Sequence, residues 1–265
     1  MGVSTHNWTA ATVENYKAAI MHMYDDKTPF EDNDFHRFFR VLRQRDVKHL
    51  KELNIDLQPV ITHFRDMGPN NGLTNTVLTQ KLCWLLGTCG FMRPNDIRCI
   101  DLSDKKFHLD TVVCILPVLL PKETRQGRRI CKCVTIKSHD DPLLCPIQAI
   151  TEYLHRIRDS EIMVKHDKDN TIRYRPLIRD VRDLRIAVSS ERISKHISTI
   201  SRMLSLPENT RIPKARAIGP TEAIKNGARV EDIVVHGNWS SSIMFDNFYR
   251  LNAATTTNFT TLVLS

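Results

Sequence analysis

Apolar side chains recur at helical spacing over residues 8–24, where Val13, Tyr16, Ala19, Ile20 and Met23 share a face and Thr9 and Thr12 are available as caps. The turn-rich stretch DDKTPFEDND follows. A second helix is predicted over 35–53, with Phe35, Phe38, Phe39 and Leu42 on one side. It also carries Arg37, Arg40, Arg43, Arg45, Lys48 and Lys51, which read either as a solvated surface or as a face turned to phosphates. Asp56 and the first-turn Pro59 start a third helix that reaches Asp66, and GPNNGLTN leads into an apolar helix over 77–88. Residues 106–120 and 129–136 then read as two strands joined by the polar turn KETRQGRR. Past Cys145 the helical spacing returns over 146–158, 190–204, 217–227 and 230–236, with a charged loop over 159–189 that has room for short extended pieces. No repeat or low-complexity tract interrupts this order. The expectation is a mainly α chain with a small antiparallel β-sheet (α+β), in which residues 1–54 form a helical module and 55–265 the principal domain. An alternating βα architecture is disfavoured.

Composition narrows the class. With 265 residues, 41% apolar and 26% charged, the chain has the profile of a soluble globular protein, not of a disordered or collagen-like one. The longest uncharged apolar run, Val112 to Pro121, is too short to cross a bilayer and holds two prolines; no membrane helix is expected, and no secretory signal precedes it. A net charge of +8 favours a polyanionic partner, of which nucleic acid is the commonest. The seven cysteines are odd in number and include no CxxC pair, which speaks for reduced thiols in a nuclear or cytoplasmic protein over a disulfide framework or a zinc module. Cys131 and Cys133, with His139 nearby, share a strand face and are expected to pack, not to bind metal.

GxxxxGK[ST], HExxH and GxGxxG are all absent, and the acidic residues are scattered instead of clustered as a two-metal nuclease requires. Chemistry on nucleic acid would therefore proceed here without a bound metal, nucleotide or other cofactor. Three segments carry the residues for it. TCGFMRPNDIRCIDL (88–102) delivers Arg93 at the end of an apolar helix, with Asp96 and Ile97 just beyond; the turn beginning at Lys122 offers a cation; and residues 213–251 contain Arg216, Gly227, Trp239 and Tyr249.

These segments, in this order, resemble the tyrosine recombinases, the family of phage-type integrases and Cre-like recombinases, over roughly residues 55–250. Thr88, Gly90, Arg93, Asp96 and Ile97 fit the family's first arginine turn with one extra residue, and Arg216, Gly227 and Trp239 fall at Cre-like intervals. The GNWSSS…FYR ending is similar to the Crypton-type eukaryotic mobile-element branch, and residues 1–54 look like the tail end of the family's core-binding (SAM-like) domain, cut short. Two positions depart from the pattern. Pro213 stands where the family places a histidine, with Lys214 next to it as a substitute acid or base. Phe248, nine residues after Trp239, takes the usual tyrosine position, and Tyr249 falls one residue later, which calls for a shift or a helix bulge.

The resemblance implies cleavage and rejoining of double-stranded DNA through a 3′-phosphotyrosine, inside a C-shaped clamp that assembles as a tetramer on DNA, with the apolar tail 258–265 available either for that contact or for folding back on its own domain. A pentavalent phosphorus gathers charge on its non-bridging oxygens, and fixed guanidiniums suit that charge because they are always protonated and grip two oxygens at once. Arg93 and Arg216 are the implied pair, although Arg93 also reads as a structural partner of Asp96. Tyr249 is the implied nucleophile, Lys122 the general acid with Lys132 and Lys137 as rivals, and Trp239 a donor to a phosphate oxygen or simply core. Arg125, Arg128, Arg129 and Lys132 form the DNA-binding cations of the turn, and His236 reads as a satisfied helix-end residue. Two other readings stay open: a recombinase-derived DNA-binding protein that no longer cuts, and a helical protein–protein scaffold.

Overall fold

A computed structural model of the chain describes residues 8–26, 28, 31–45, 52–125, 127–253 and 263–264, and its internal contacts separate two units, residues 1–50 and 51–265. The first unit is a pair of helices. Thr9 caps α1 (Ala10–His22) by accepting from the Thr12 amide at 3.3 Å. Helix α2 (Asn33–Arg45) lays Phe39 and Leu42 against Ala10, with Phe35 and Val13 beside them. The Lys17 ammonium sits over the rings of Phe35 and Phe39, 4.7 and 4.6 Å from their centroids. Phe38, expected on the buried side, is exposed, as are Tyr16, Ile20 and Met23 of α1. The remainder of the helix predicted to residue 53, with Lys48 and Lys51, lies outside the described residues as far as position 51.

The second unit is built around α4 (Asn75–Cys89), which Thr74 opens by accepting from the Val77 amide at 3.3 Å. From Leu78 to Thr88 every residue but Gln80 is buried, because α4 packs against α6 (Pro146–Ile157), α7 (Ser190–Ser201) and α8 (Ala215–Lys225). A helix enclosed on all sides must be apolar all round, which is how its sequence reads. Its one charged residue, Lys81, is accommodated by donating to Asn70 Oδ1 at 2.8 Å. Helix α8 approaches so closely that a Cβ at Gly219 would lie 1.9 Å from the Thr88 carbonyl oxygen. On the other flank α3 (Gln58–Asp66) contributes Val60 and Phe64 to the same core.

The sheet has the order β1-β2-β5, all antiparallel: β1 (His108–Leu109), β2 (Val113–Val118) and β5 (Lys132–Lys137). The single strand expected over 106–120 is broken at Asp110, whose carboxylate accepts from the amides of Val112 and Val113 at 2.7 Å and so turns the chain. Along β5 burial alternates, Lys132, Val134 and Ile136 inward and Cys133, Thr135 and Lys137 outward. Between β2 and β5 a small hairpin, β3 (Thr124–Arg125) and β4 (Arg128–Arg129), projects from the sheet. The charged loop holds a second hairpin, β6 (Val164–His166) with β7 (Asp169–Tyr174).

Three short helices complete the unit: α5 (Pro94–Arg98), α9 (Val230–His236) and α10 (Ser242–Phe248). The last two enclose a small core of Phe91, Ile233, Trp239 and Phe245. After α10 the chain is pinned at once, the Leu251 amide donating to Thr221 Oγ1 (3.0 Å) and its carbonyl accepting from the Leu53 amide (3.1 Å). Among the described residues no helix is long and apolar enough to cross a membrane. The tail read over 258–265 falls almost wholly outside the described residues.

Candidate active site

Each arm of the site is placed by an element boundary. Arg93 precedes α5, and its backbone amide donates to Asp96 Oδ2 at 3.0 Å, which closes the first turn and aims the Asp96 carboxylate back at the loop. Arg216 occupies the first turn of α8 and is buried, Lys132 opens β5 on the inward face, and Tyr249 caps the C-terminus of α10.

Asp96 is the hub. Its Oδ2 accepts from Lys132 Nζ at 2.9 Å and from an Arg216 terminal nitrogen at 3.2 Å. A second carboxylate, Glu123, faces the same cations: its Oε1 accepts from Arg93, from Arg216 at 3.2 Å, and lies 3.5 Å from Lys132 Nζ. Arg216 also donates to the Gly237 carbonyl at 2.8 Å, while its guanidinium lies 4.9 Å from the Trp239 ring centre and 5.2 Å from that of Tyr249. Arg93 sends its other terminal nitrogen to the Tyr249 hydroxyl at 2.9 Å. Two guanidiniums, an ammonium and a phenol thus converge on one small volume.

The electrostatics follow from that crowding. Burial works against the charged form of Tyr249, but the charge and hydrogen bond of Arg93, joined by the charge of Arg216, outweigh it and hold the phenol below its ordinary value. Burial likewise opposes the Glu123 carboxylate, yet Lys132, Arg93 and Arg216 pull it down to about 2. Burial, followed by repulsion from Arg93, lowers Arg216. Arg93 is raised despite its own burial, because Glu123 and Asp96 stand beside it.

At the end of α10 the Tyr249 amide keeps the ordinary helical bond to the Phe245 carbonyl at 2.8 Å and the Arg250 amide donates to the same carbonyl at 3.0 Å, so the turn widens only after Tyr249. Phe248 is left exposed to solvent, and Tyr249 is the side chain that reaches Arg93. Trp239 is buried, its ring 4.8 Å from Tyr249 and 5.2 Å from Phe245, and its indole N–H, without a well-formed hydrogen bond, is near enough to the Tyr249 hydroxyl to help lower that phenol. A Cβ at Gly237 would come within 2.1 Å of the Trp239 ring, so only glycine admits this packing.

The lysine candidates fall differently from their expected order. Lys132, read as one of the turn's DNA-facing cations, is instead buried against Asp96, because the period-two alternation of β5 turns it to the core side. Lys122 is exposed beside Glu123, and Lys137 is exposed at the far end of β5. Arg128 and Arg129 are exposed on β4, and Arg129 lies 3.7 Å from Asp169; the side chain of Arg125 lies outside what the structure describes. Lys214 is exposed and, with Pro213, lines a groove of about 610 Å³ whose wall includes Arg93, Arg216 and Tyr249. His236 Nε2 donates to the Cys89 carbonyl, 2.8 Å away, and meets the edge of Phe91; it belongs to the end of α9, outside the cluster. Among the described residues no group of three His, Cys, Asp or Glu is placed to hold a metal ion.

No family model matches the chain and no curated protein matches its sequence. Solved structures do. The Tn1549 transposon integrase in complex with transposon right end DNA is similar with a TM-score of 0.55 and 15% identity, over 99% of this chain and 80% of that one. The same integrase with circular intermediate DNA gives 0.52 and 13%, over 99% and 81%. The fold is that of a tyrosine recombinase catalytic domain. XerA recombinase is more distant, at 0.48 and 12%, over 99% and 86%. On this tyrosine-recombinase fold two carboxylates stand out in roles that the sequence motifs did not assign. Asp96 was visible only as part of the first arginine turn, and its reach to Lys132 and Arg216 is a tertiary event. Glu123 carried no signal beyond its place next to Lys122.

Proposed function

We propose that the protein is a DNA strand transferase that cleaves and rejoins duplex DNA through a covalent phosphotyrosine. The observation that carries this reading is the Arg93–Tyr249 hydrogen bond at 2.9 Å beside the buried Arg216. A phenol held by one guanidinium and stacked near another is prepared to lose its proton and to attack an anion that both arginines grip. In the reaction Tyr249 gives its proton to solvent and its Oη forms a bond to phosphorus, the bond to the 5′ oxygen breaks, and that oxygen takes a proton from Lys122 to leave as a hydroxyl. Arg93 and Arg216 stabilise the charge that accumulates on the non-bridging oxygens, and the Trp239 N–H supplies a further donor. Asp96 and Lys132 hold Arg216 and the Arg93 backbone in register. Lys122 is the general acid of this reading, with Lys214, which lines the groove of Arg93, Arg216 and Tyr249, as its substitute. The exposed arginines of β4 and the turn's Arg125 contact the DNA backbone.

The GNWSSS…FYR ending supports a nuclear enzyme of mobile-element origin, and the fold's likeness to an integrase solved on DNA supports duplex binding; assembly there as a tetramer belongs to this reading through the family resemblance. The test is a suicide substrate, duplex DNA nicked next to the cleavage position, drawn from a randomised pool. A covalent adduct that disappears in Tyr249→Phe is expected. Salt-sensitive DNA binding with no adduct would instead favour the second reading, a DNA-binding descendant that no longer cuts, for which Pro213 in place of a catalytic side chain is the supporting feature.

A further inference from the structure

Glu123 is the residue of the site that the proposed reaction does not use. We infer that it is an internal substitute for the scissile phosphate: in the DNA-free protein its carboxylate fills the anion position between Arg93, Arg216 and Lys132, and a DNA phosphodiester must displace it before cleavage. This inference rests on the strand-transferase reading of the same site.

Geometry supports it first. One oxygen of Glu123 meets all three cations, whereas the other is buried without a partner. Two donors of the same cluster are also buried without well-formed hydrogen bonds, Arg216 Nε and Trp239 Nε1. A buried ion cluster that leaves two acceptors, Glu123 Oε2 and Asp96 Oδ1, and two donors without well-formed hydrogen bonds is a poor final arrangement. A phosphodiester carries the same single negative charge but presents more oxygens over a tetrahedral spread, so it can satisfy donors that a flat carboxylate leaves idle. The space is present: a cavity of about 200 Å³ lies between Glu123 and Tyr249, lined also by Arg93 and Trp239.

Charge supports it next. Arg93, Arg216 and Lys132 set against Asp96 and Glu123 leave a net charge of +1. With Glu123 withdrawn the cluster carries +2, which matches the two negative charges that a pentavalent phosphorus approaches. Glu123 in place would oppose that state. Nor is its departure a matter of protonation, since its carboxyl is held at about 2 and stays ionised at neutral pH.

Dimethyl phosphate, a monoanionic diester, is the probe, and its affinity is read from the ligand-dependent rise in melting temperature of the full chain. Glu123→Gln and Glu123→Ala should each tighten its binding at least about tenfold, in keeping with loss of a charged competitor. Equal or weaker binding in both overturns the inference. A measurement on the unmutated chain covers the case in which neither variant folds: amide exchange in residues 119–131 should speed up when dimethyl phosphate is added, and unchanged or slowed exchange refutes the displacement. The nicked-duplex assay separates the two ideas. Tightened diester binding with no adduct in any variant would leave the displacement standing and remove the strand-transferase reading. An adduct with unaltered diester affinity would do the reverse.

Discussion

Tyr249 is set by two opposing influences, burial raising its pKa and the arginines lowering it. Arg93→Ala should therefore move the phenol above its position in the parent chain, because Arg216 alone then faces the burial penalty. Ultraviolet titration, with the Tyr249→Phe spectrum subtracted, reads this directly, and a phenol that does not move would mean Arg93 does not tune it. In the adduct assay Arg216→Ala should slow cleavage by about 10²–10³-fold, the usual cost of removing one fixed donor from a developing oxyanion. Arg93, Arg216 and Tyr249 were legible in the sequence because each sits in a local motif. Lys132 was legible in principle: it shares the period-two face of Val134 and Ile136, whereas Lys137 falls on the opposite one. Glu123 was not, since its position depends on how a turn folds over residues far away in the chain.

Elements bring these side chains together through two close approaches. Gly219 lets α8 lie on the Thr88 carbonyl, and Gly237 lets the Trp239 ring fold beneath Arg216. A methyl group at position 219 meets backbone that cannot swing aside, so Gly219→Ala should lower the urea midpoint by the equivalent of at least about 1–3 kcal/mol. Gly72→Ala, with open space around its Cβ, is the control and should stay within about 0.5 kcal/mol. The long helices were readable from their apolar spacing, and α9 agreed to the residue, Val230–His236. The five-residue α5 is too short to display a period, and α10, equal in length to α9, leaves Ile243, Met244 and Phe248 exposed with Phe245 buried, so its apolar residues mark no inner face. The early strand was over-extended because Asp110 reads as one more polar position until its carboxylate is seen capping two amides.

For the whole molecule, charge makes two predictions. The net +8 and the exposed arginines of β4 imply DNA binding that weakens steeply with salt, log affinity falling by roughly 0.9 per phosphate contacted for each unit of log salt; affinity measured across a salt series that stays flat would contradict a phosphate-directed surface. Glu123 has an ordinary value of 4.5 when unfolded and about 2 when folded. Its contribution to stability is therefore complete above the higher value and is lost as the pH falls toward the lower one. Between neutral pH and about pH 3 the parent chain should lose more stability than Glu123→Gln, as followed by urea midpoints. The mainly α architecture with a small sheet was legible from the order of patterns alone, since helical and extended periods succeed one another without βα alternation. The meeting of residues 93, 216 and 249 with a lysine was implied by the family resemblance alone; that the lysine is Lys132 and not Lys122 depends on how the hairpin folds over the other segments.

The double anchor on Leu251 has a mechanical meaning. Two residues past the phenol, the backbone is fastened to Thr221 on one side and to Leu53 on the other, while α10 secures it from ahead. A DNA end attached to Tyr249 would pull on a knot tied into the body of the domain instead of on a loose tail, so tension from an unwinding or rotating duplex would be borne by the helical scaffold and the broken end kept in place for religation.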